Sequence, residues 1–525
     1  MIEASLSTRP ANDGLNYERL LYRNQFILGP RHVEELPSWK KFSVGESIRL
    51  TVHPDLSCCQ ATANGKSLTL LGFMLDPADA SATDQSIVND LVRKLSRCRD
   101  FFPHTYRYGG RWILIADDGN TTALFHDAAG IRQAYYTNTG YGADTWCVSQ
   151  PGLLAKLLGL QMSQEALGLI DSYAFRQNRE YWWPGDGSPY AEISHLLPNH
   201  WLDLGTRQVR RYWPDGDLPE RPLDEVIGPV STTLRGMLAS AANRFELVLA
   251  ITAGWDSRLL LAASKDIVPR IPCMTVRQMG MRNNHPDISV SARLLPRLGI
   301  EHHVVPASLL ADPDFRRTFK ANTLLAHDHY AADAQAILQY YGLRKAVLSA
   351  GVSEIVRYPT AIGYSVQGDI TPVEISKDVY KTGNNPFAIR EIEKWVASVG
   401  NIHNLDLDTI FFWEQREGNW LAGNQLEFDT AWREVVIPYN CRNLLIDMLS
   451  VRQRDRWSPR TVPRNVLHRR LIMNLWPEVM QEPINPHKPR FKTLILFEVF
   501  KRTLQFRVRR LLLRIPLIRK RVLNG

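Results

Sequence analysis

The 525-residue chain contains no apolar run long enough to cross a bilayer, so hydropathy offers no membrane-spanning helix. Its opening residues, Met1-Ile2-Glu3-Ala4, lack the basic and apolar regions of a secretory leader, and a cytoplasmic location is expected. Cysteine is scarce: six residues, at 58, 59, 98, 147, 273 and 441, with no Cys-X-X-Cys spacing among them. That argues against a structural zinc and for buried, reduced thiols. Acidic residues run short in one place only. From His487 to Gly525 twelve Lys and Arg face a single Glu, so this tail outweighs the whole formal charge of +9. The remaining body is near neutral and presents no charge pattern for nucleic acid. Within the tail, Arg507–Pro516 alternates basic and apolar residues. It reads equally as an amphipathic helix on an anionic membrane, at its inner face, and as a solvated helix docked on the body.

What the chain does contain is a strand-length apolar run, Phe245–Ile251, a small-residue turn, Thr252-Ala253-Gly254-Trp255-Asp256-Ser257, and a helix-forming run to Ser264. A strand-to-helix turn aims unpaired N–H groups and the positive end of the helix dipole at one point, which suits a phosphate. Asp256 is placed to hold the Mg²⁺ that accompanies a triphosphate. An ordinary helix capped by Asp256 or Ser257 explains the same residues. The turn lacks the Gly-Lys-Ser/Thr ending of a Walker A loop.

Thr252–Ser257 resembles the Ser-Gly-Gly-X-Asp-Ser pyrophosphate loop of the asparagine synthetase family, whose members adenylate a carboxylate and pass it to nitrogen. Two further stretches resemble that family's glutaminase domain. His126-Asp-Ala-Ala-Gly-Ile-Arg-Gln-Ala-Tyr-Tyr136 is similar to its Arg-Asp-X-X-Gly-X-X-Pro-Leu-Tyr-Tyr segment, and Ile193–Gly205 to its closing strand region. The resemblance implies an α/β chain in four parts. These are an Ntn-hydrolase-like β-rich sandwich domain over 1–205, a linker over 206–225, a PP-loop domain with a doubly wound parallel sheet and a helical C-terminal part over 226–486, and the tail over 487–525. Strand–helix alternation after residue 245 supports the parallel sheet independently. Strands are expected at 272–276, 301–305 and from Lys345, and 405–485 reads as helical.

The resemblance further implies ATP and Mg²⁺ as cofactors. Ile251, Thr252, Ala253, Gly254, Trp255, Asp256, Ser257, Val276, Ser349 and Ala350 would surround the nucleotide, with Asp256 and Glu354 as the catalytic, metal-holding carboxylates. The partners would be a small-molecule or glycan carboxylate and ammonia or an amine, with no nucleic acid. Bacterial surface polysaccharide synthesis is one setting, because the loop variant, the His285-Pro286-Asp287 helix start and the Ser353-Glu354 ending look most like proteins of such clusters.

The departures from the pattern matter as much. Glutaminases of this type use a cysteine at position 2; here it is Ile2, and no cysteine precedes Cys58, so no glutaminase activity is expected. Ser353 stands where the family has an aspartate. The family places a lysine near the acyl-adenylate, whereas no lysine occurs between Lys394 and Lys488, only arginines such as Arg454, Arg456, Arg460 and Arg464. Arginine stabilises phosphate charge but does not shuttle protons at neutral pH. Those losses leave three alternatives open: a decayed scaffold, a lactam- or lasso-forming cyclase, or a tRNA-modifying enzyme that shares the loop. Adjacent His302 and His303 should face opposite sides of a strand rather than share a metal, and His327-Asp328-His329 reads as a polar helix face.

Overall fold

The computed structural model describes residues 17–178, 180–278, 280–357, 371–456 and 465–486. Apolar residues in the first half dictate a series of short strands, of which the central ones, such as Lys66–Leu75 and Gly109–Asp117, are buried on both faces. The strands are β1 (Phe26–Gly29), β2 (Lys40–Val44), β3 (Ile48–Val52), β4 (Cys58–Ala63), β5 (Lys66–Leu75), β6 (Gly109–Asp117), β7 (Thr122–His126), β8 (Tyr135–Thr137), β9 (Cys147–Val148), β10 (Ile193–His195), β11 (His200–Asp203) and β12 (Val209–Arg211). They form two antiparallel six-stranded sheets, in the orders β10-β8-β9-β1-β3-β2 and β12-β11-β7-β6-β5-β4. On β6 the period of two is literal. Ile113 and Ile115 meet Leu28, Leu50 and Val52 of the facing sheet, while Trp112, Leu114 and Ala116 meet the helix Asp84–Lys94 outside. The helix Pro151–Leu158 covers the other outer face through Leu153 and Leu154 against Ile27 and Val148. The result is a helix–sheet–sheet–helix stack. β12 falls in the stretch read as a linker and pairs with β11.

The second half builds β13 (Glu246–Ala250), β14 (Cys273–Arg277), β15 (His302–Pro306), β16 (Lys345–Leu348) and β17 (Val435–Val436) into one all-parallel sheet ordered β15-β14-β13-β16-β17. β17 lies in the span read as helical throughout; two residues are too short to carry a periodic signal. The helix Leu223–Arg244 leads into β13. Among the described residues no helix is long and apolar enough to cross a membrane.

The described residues up to Glu482 form one compact unit. Inside it, a buried polar seam joins the strand pair β6/β7 to the chain flanking β17. Arg111 forks onto both carboxylate oxygens of Asp429 at 2.7 and 2.9 Å, and both side chains are essentially without solvent. Arg23 donates to the carbonyls of Asp429 and Trp432. Asn440 donates to Asp127 and to the carbonyl of Gly110, and accepts from the Ala129 N–H. Asp127, from the stretch that resembles the glutaminase segment, also accepts the N–H groups of Trp112, Ile131 and Arg132.

Removing one member of such a pair strands the other charge in a dry interior. Asp429→Ala is expected to destabilise the protein by about 3–5 kcal/mol, read as a lower urea midpoint. An unchanged midpoint would show that the seam carries no stability.

Candidate functional site

From β13 the chain steps outward to β14 and β15, then returns to β16 on the other side of β13. The carboxyl ends of β13 and β16 therefore flank the point where strand order reverses, the place where such sheets leave a crevice. β13 stops at Ala250, and the helix Trp255–Ala263 begins after four intervening residues. Ser257, in the first turn of that helix, folds its hydroxyl back over the loop. Its Oγ lies 2.9 Å from Thr252 Oγ1 and accepts the Thr252 N–H at 3.2 Å. Thr252 Oγ1 in turn accepts the Gly254 N–H, and Asp287 accepts the Ala253 N–H at 2.8 Å. Three of the loop's amides are thus committed to side chains of the protein. The N-cap is Gly254, which has no side chain to offer, so the first-turn N–H groups of Trp255, Asp256 and Ser257 have no capping group.

A cavity of about 460 Å³ opens here, within the range of small-molecule sites. Of the residues assigned from sequence, Ile251, Thr252, Asp256, Ser257, Val276, Ser349, Ala350 and Glu354 line it. Ala253 is buried beneath the loop, and Gly254 and Trp255 sit half-exposed at its tip, outside the lining. The opposite wall comes from a ten-residue π-helical stretch, Phe412–Leu421, which contributes Arg416, Glu417, Trp420 and Leu421. π-helical turns are rare and concentrate at functional sites. Nothing in the sequence marked this wall.

Charge at the site is arranged around Arg357. Its guanidinium bridges the two carboxylates assigned to magnesium, at 3.1 Å from Asp256 and 2.6 Å from Glu354. Asp256 also accepts the Ser353 hydroxyl at 2.6 Å, and His468 approaches it at 3.4 Å. Burial acts to raise the Asp256 carboxyl, but His468, Arg357 and Ser353 outweigh it and hold the group below the usual carboxylate range. Among the described residues no three His, Cys, Asp or Glu side chains form a metal-ligand set. Asp256 and Glu354 both hold the Arg357 guanidinium here. The serine at position 353, which reads as a lost metal ligand, is a donor to Asp256.

Glu417 is different. It is 1% exposed, and its Oε2 has no hydrogen-bond partner. Burial, with Glu354 beside it, pushes its carboxyl up to about 8. Arg416, next in sequence, lays its guanidinium 3.6 Å from the Trp420 ring centroid.

Elsewhere the expectations divide. His302 bonds Thr275 at 3.0 Å and His303 bonds Tyr341 and Glu301, on opposite faces of β15. His327 is not on a polar face. It is buried against Glu427 at 2.6 Å, because an intervening 3₁₀ turn, Asp328–Tyr330, points Asp328 to Arg316 and Lys320 instead. Arg456 is buried, donating to the Val356 carbonyl, and Arg454 is exposed. Ile2, Arg460, Arg464 and the basic tail lie outside the described residues. All six thiols are unpaired by disulfides, and burial raises each, Cys58 and Cys59 to about 12, so none is poised as a thiolate.

No protein-family profile matches the chain, and no curated protein matches it. Among solved structures it aligns with the allosteric regulatory enzyme of purine biosynthesis at 10% identity and a TM-score of 0.24, covering 58% of this chain and 74% of that one. It also aligns with glutamine phosphoribosylpyrophosphate amidotransferase from B. subtilis complexed with ADP and GMP, at 10% identity and a TM-score of 0.20, over 70% and 75%. At these scores neither superposition bears on the chemistry of the cavity.

Because the folded state holds the Glu417 proton more tightly than the unfolded chain, the associated stability is complete below pH 4.5 and is lost as pH rises through about 8. Glu417→Gln does not titrate. Its melting temperature relative to the wild type should therefore climb by about 2 °C or more between pH 5 and pH 8. A gap that stays constant with pH would show that Glu417 titrates normally.

Proposed function

We propose that the chain is an ATP-consuming ligase that adenylates a carboxylate and transfers the acyl group to ammonia or an amine. The observation that carries this reading is the cavity itself. It sits at the reversal point of a parallel sheet, with an uncapped helix start and the Thr252 and Ser257 hydroxyls on one side and Arg416 on the other. Polyphosphate oxygens accept from first-turn amides and hydroxyls, and a guanidinium offsets their charge. Ile251, Met274 and Val276 give the base an apolar wall. The substrate carboxylate attacks the α-phosphorus, pyrophosphate departs, and the amine then attacks the acyl carbon and releases AMP. Positioning and charge stabilisation supply most of the acceleration. The first half, with its buried thiols, is proposed to act as support and not as a glutaminase. The likeness of the loop and of the His285-Pro286-Asp287 turn to polysaccharide-cluster proteins extends the proposal to a carboxylated sugar as substrate.

One observation favours a second reading. Loop amides filled from within, and carboxylates already holding Arg357, also suit a scaffold that has lost its chemistry.

Exchange of labelled pyrophosphate into ATP, screened across aspartate, glutamate and hexuronates, separates the two. Carboxylate-dependent exchange is expected. Ser257→Ala, which unties the loop by removing hydrogen bonds worth about 1–1.5 kcal/mol, should lower it about tenfold. A protein that binds no ATP is the scaffold.

A further inference from the structure

The cavity has two chemically different ends. One, between β16 and the π-helical stretch, carries Glu354, Arg416 and Glu417; the other, along β14 and its exit, is formed by Met274, Val276 and Met281, with Gln278 among them. Asp287, which also lines the cavity, is already bonded to the Ala253 N–H of the loop. A flat, uncharged ring is favoured at the apolar end, where a single amide offers it a polar contact. The geometry points to Gln278 as the residue that reads the nucleobase, accepting from the amino group of a 6-amino purine through Oε1 and rejecting a 6-oxo purine, with Asp333 as the positioning residue that fixes its amide. This inference rests on the ligase reading of the same cavity and names which nucleotide that site selects.

A glutamine alone does not discriminate between the two purines. Half a turn about its last torsion exchanges the oxygen for the NH₂ group, so the same side chain can accept from an amine or donate to a carbonyl. Asp333 removes that freedom. It is the third residue of the helix Ala331–Tyr341 and is only 4% exposed. Gln278 Nε2 donates to its Oδ2 at 2.7 Å. Burial pushes the Asp333 carboxyl up to about 6, which leaves it ionised at pH 8. An ionised carboxylate can only accept, so it must face the nitrogen of the amide. Turning the amide over would set two acceptors against each other and forfeit a charge-assisted hydrogen bond.

The oxygen of Gln278 is thereby left to the ligand. Among the described residues no group donates to Oε1, and the side chain lines the cavity. Met274, Val276 and Gln278 follow one another at alternate positions, so a ring lying along the two apolar side chains meets the amide at its edge. The exit turn is closed by the Met281 N–H, which donates to the Gln278 carbonyl at 3.0 Å and keeps Met281 beside the same slot. A 6-amino group supplies the donor that Oε1 lacks. A 6-oxo group brings a second acceptor, which the fixed amide cannot turn to meet.

The test titrates the full chain with MgATP and with MgITP at pH 8 by calorimetry; the two bases differ only at position 6. The wild type is expected to bind ATP about 30-fold more tightly than ITP. Gln278→Met, of similar length but without the acceptor, should weaken ATP about tenfold and leave ITP unchanged, so that the preference falls to about threefold. Asp333→Asn, whose amide can accept or donate, lets Gln278 turn: ATP should stay within about threefold of the wild type while ITP gains about tenfold. Melting curves check both folds, and Gln278→Met, at a partly exposed position, decides alone if Asp333→Asn does not fold. A residue that only shapes the wall would weaken both nucleotides alike. Equal losses in Gln278→Met, or a wild type that does not prefer ATP, would overturn the assignment while carboxylate-dependent pyrophosphate exchange kept the ligase standing. Wild-type protein that binds neither nucleotide would remove the ligase and this inference together.

Discussion

A guanidinium sealed from water is tolerable only when a carboxylate meets it squarely, and Arg111 and Asp429 satisfy that condition 318 residues apart. The constraint does more than add stability. Arg111 belongs to the long central strand of the antiparallel sandwich, and Asp429 lies just before the edge strand of the parallel sheet. Neither sheet can shift against the other without leaving a charge uncompensated. Asn440 and Asp127 extend the same logic with neutral groups, each satisfying backbone donors or acceptors of the other half. The stretch His126–Tyr136 is thereby part of the seam.

Upon that frame the cavity is assembled from three separate sources. The sheet supplies its floor through the ends of β13, β14 and β16. The loop after β13 is shaped by short-range bonds, with Ser257 and Asp287 fixing amides that would otherwise be free to take any geometry. The remaining wall comes from a helical stretch more than 150 residues downstream in sequence from Asp256, and it brings the Glu417 carboxyl within electrostatic reach of Asp256 and Glu354. Charge is matched locally, with Arg357 balancing two carboxylates.

Elements with a clear period were legible from the chain alone. β5, β6 and β7, the helix Leu223–Arg244 and the strand–turn–helix at 246–263 follow from alternation, turn residues and helix-forming runs. Eight of the residues assigned to the nucleotide or metal line the cavity, because their position follows from one rule about strand ends. What escaped has no local signature. β17 is two residues long. Arg357 lies three residues after Glu354, yet its grip on Asp256 and Glu354 depends on a tertiary approach that spacing does not encode. Glu417 and Arg416 are ordinary helix residues until the fold brings them opposite β13. His327 shows the converse, a polar-looking triplet whose first member is buried by packing against Glu427.

The π-helical turn at Phe412–Leu421 has an evolutionary corollary. Such a segment is an α-helix with residues to spare, and each residue of an α-helix advances the azimuth by about 100°. A single deletion between Glu417 and Trp420 would retain the helix and its length almost unchanged, yet rotate Arg416 and Glu417 out of register with Trp420. Relatives of this chain that differ by one residue in that segment would thus keep the same architecture while presenting a different chemical face to the cavity.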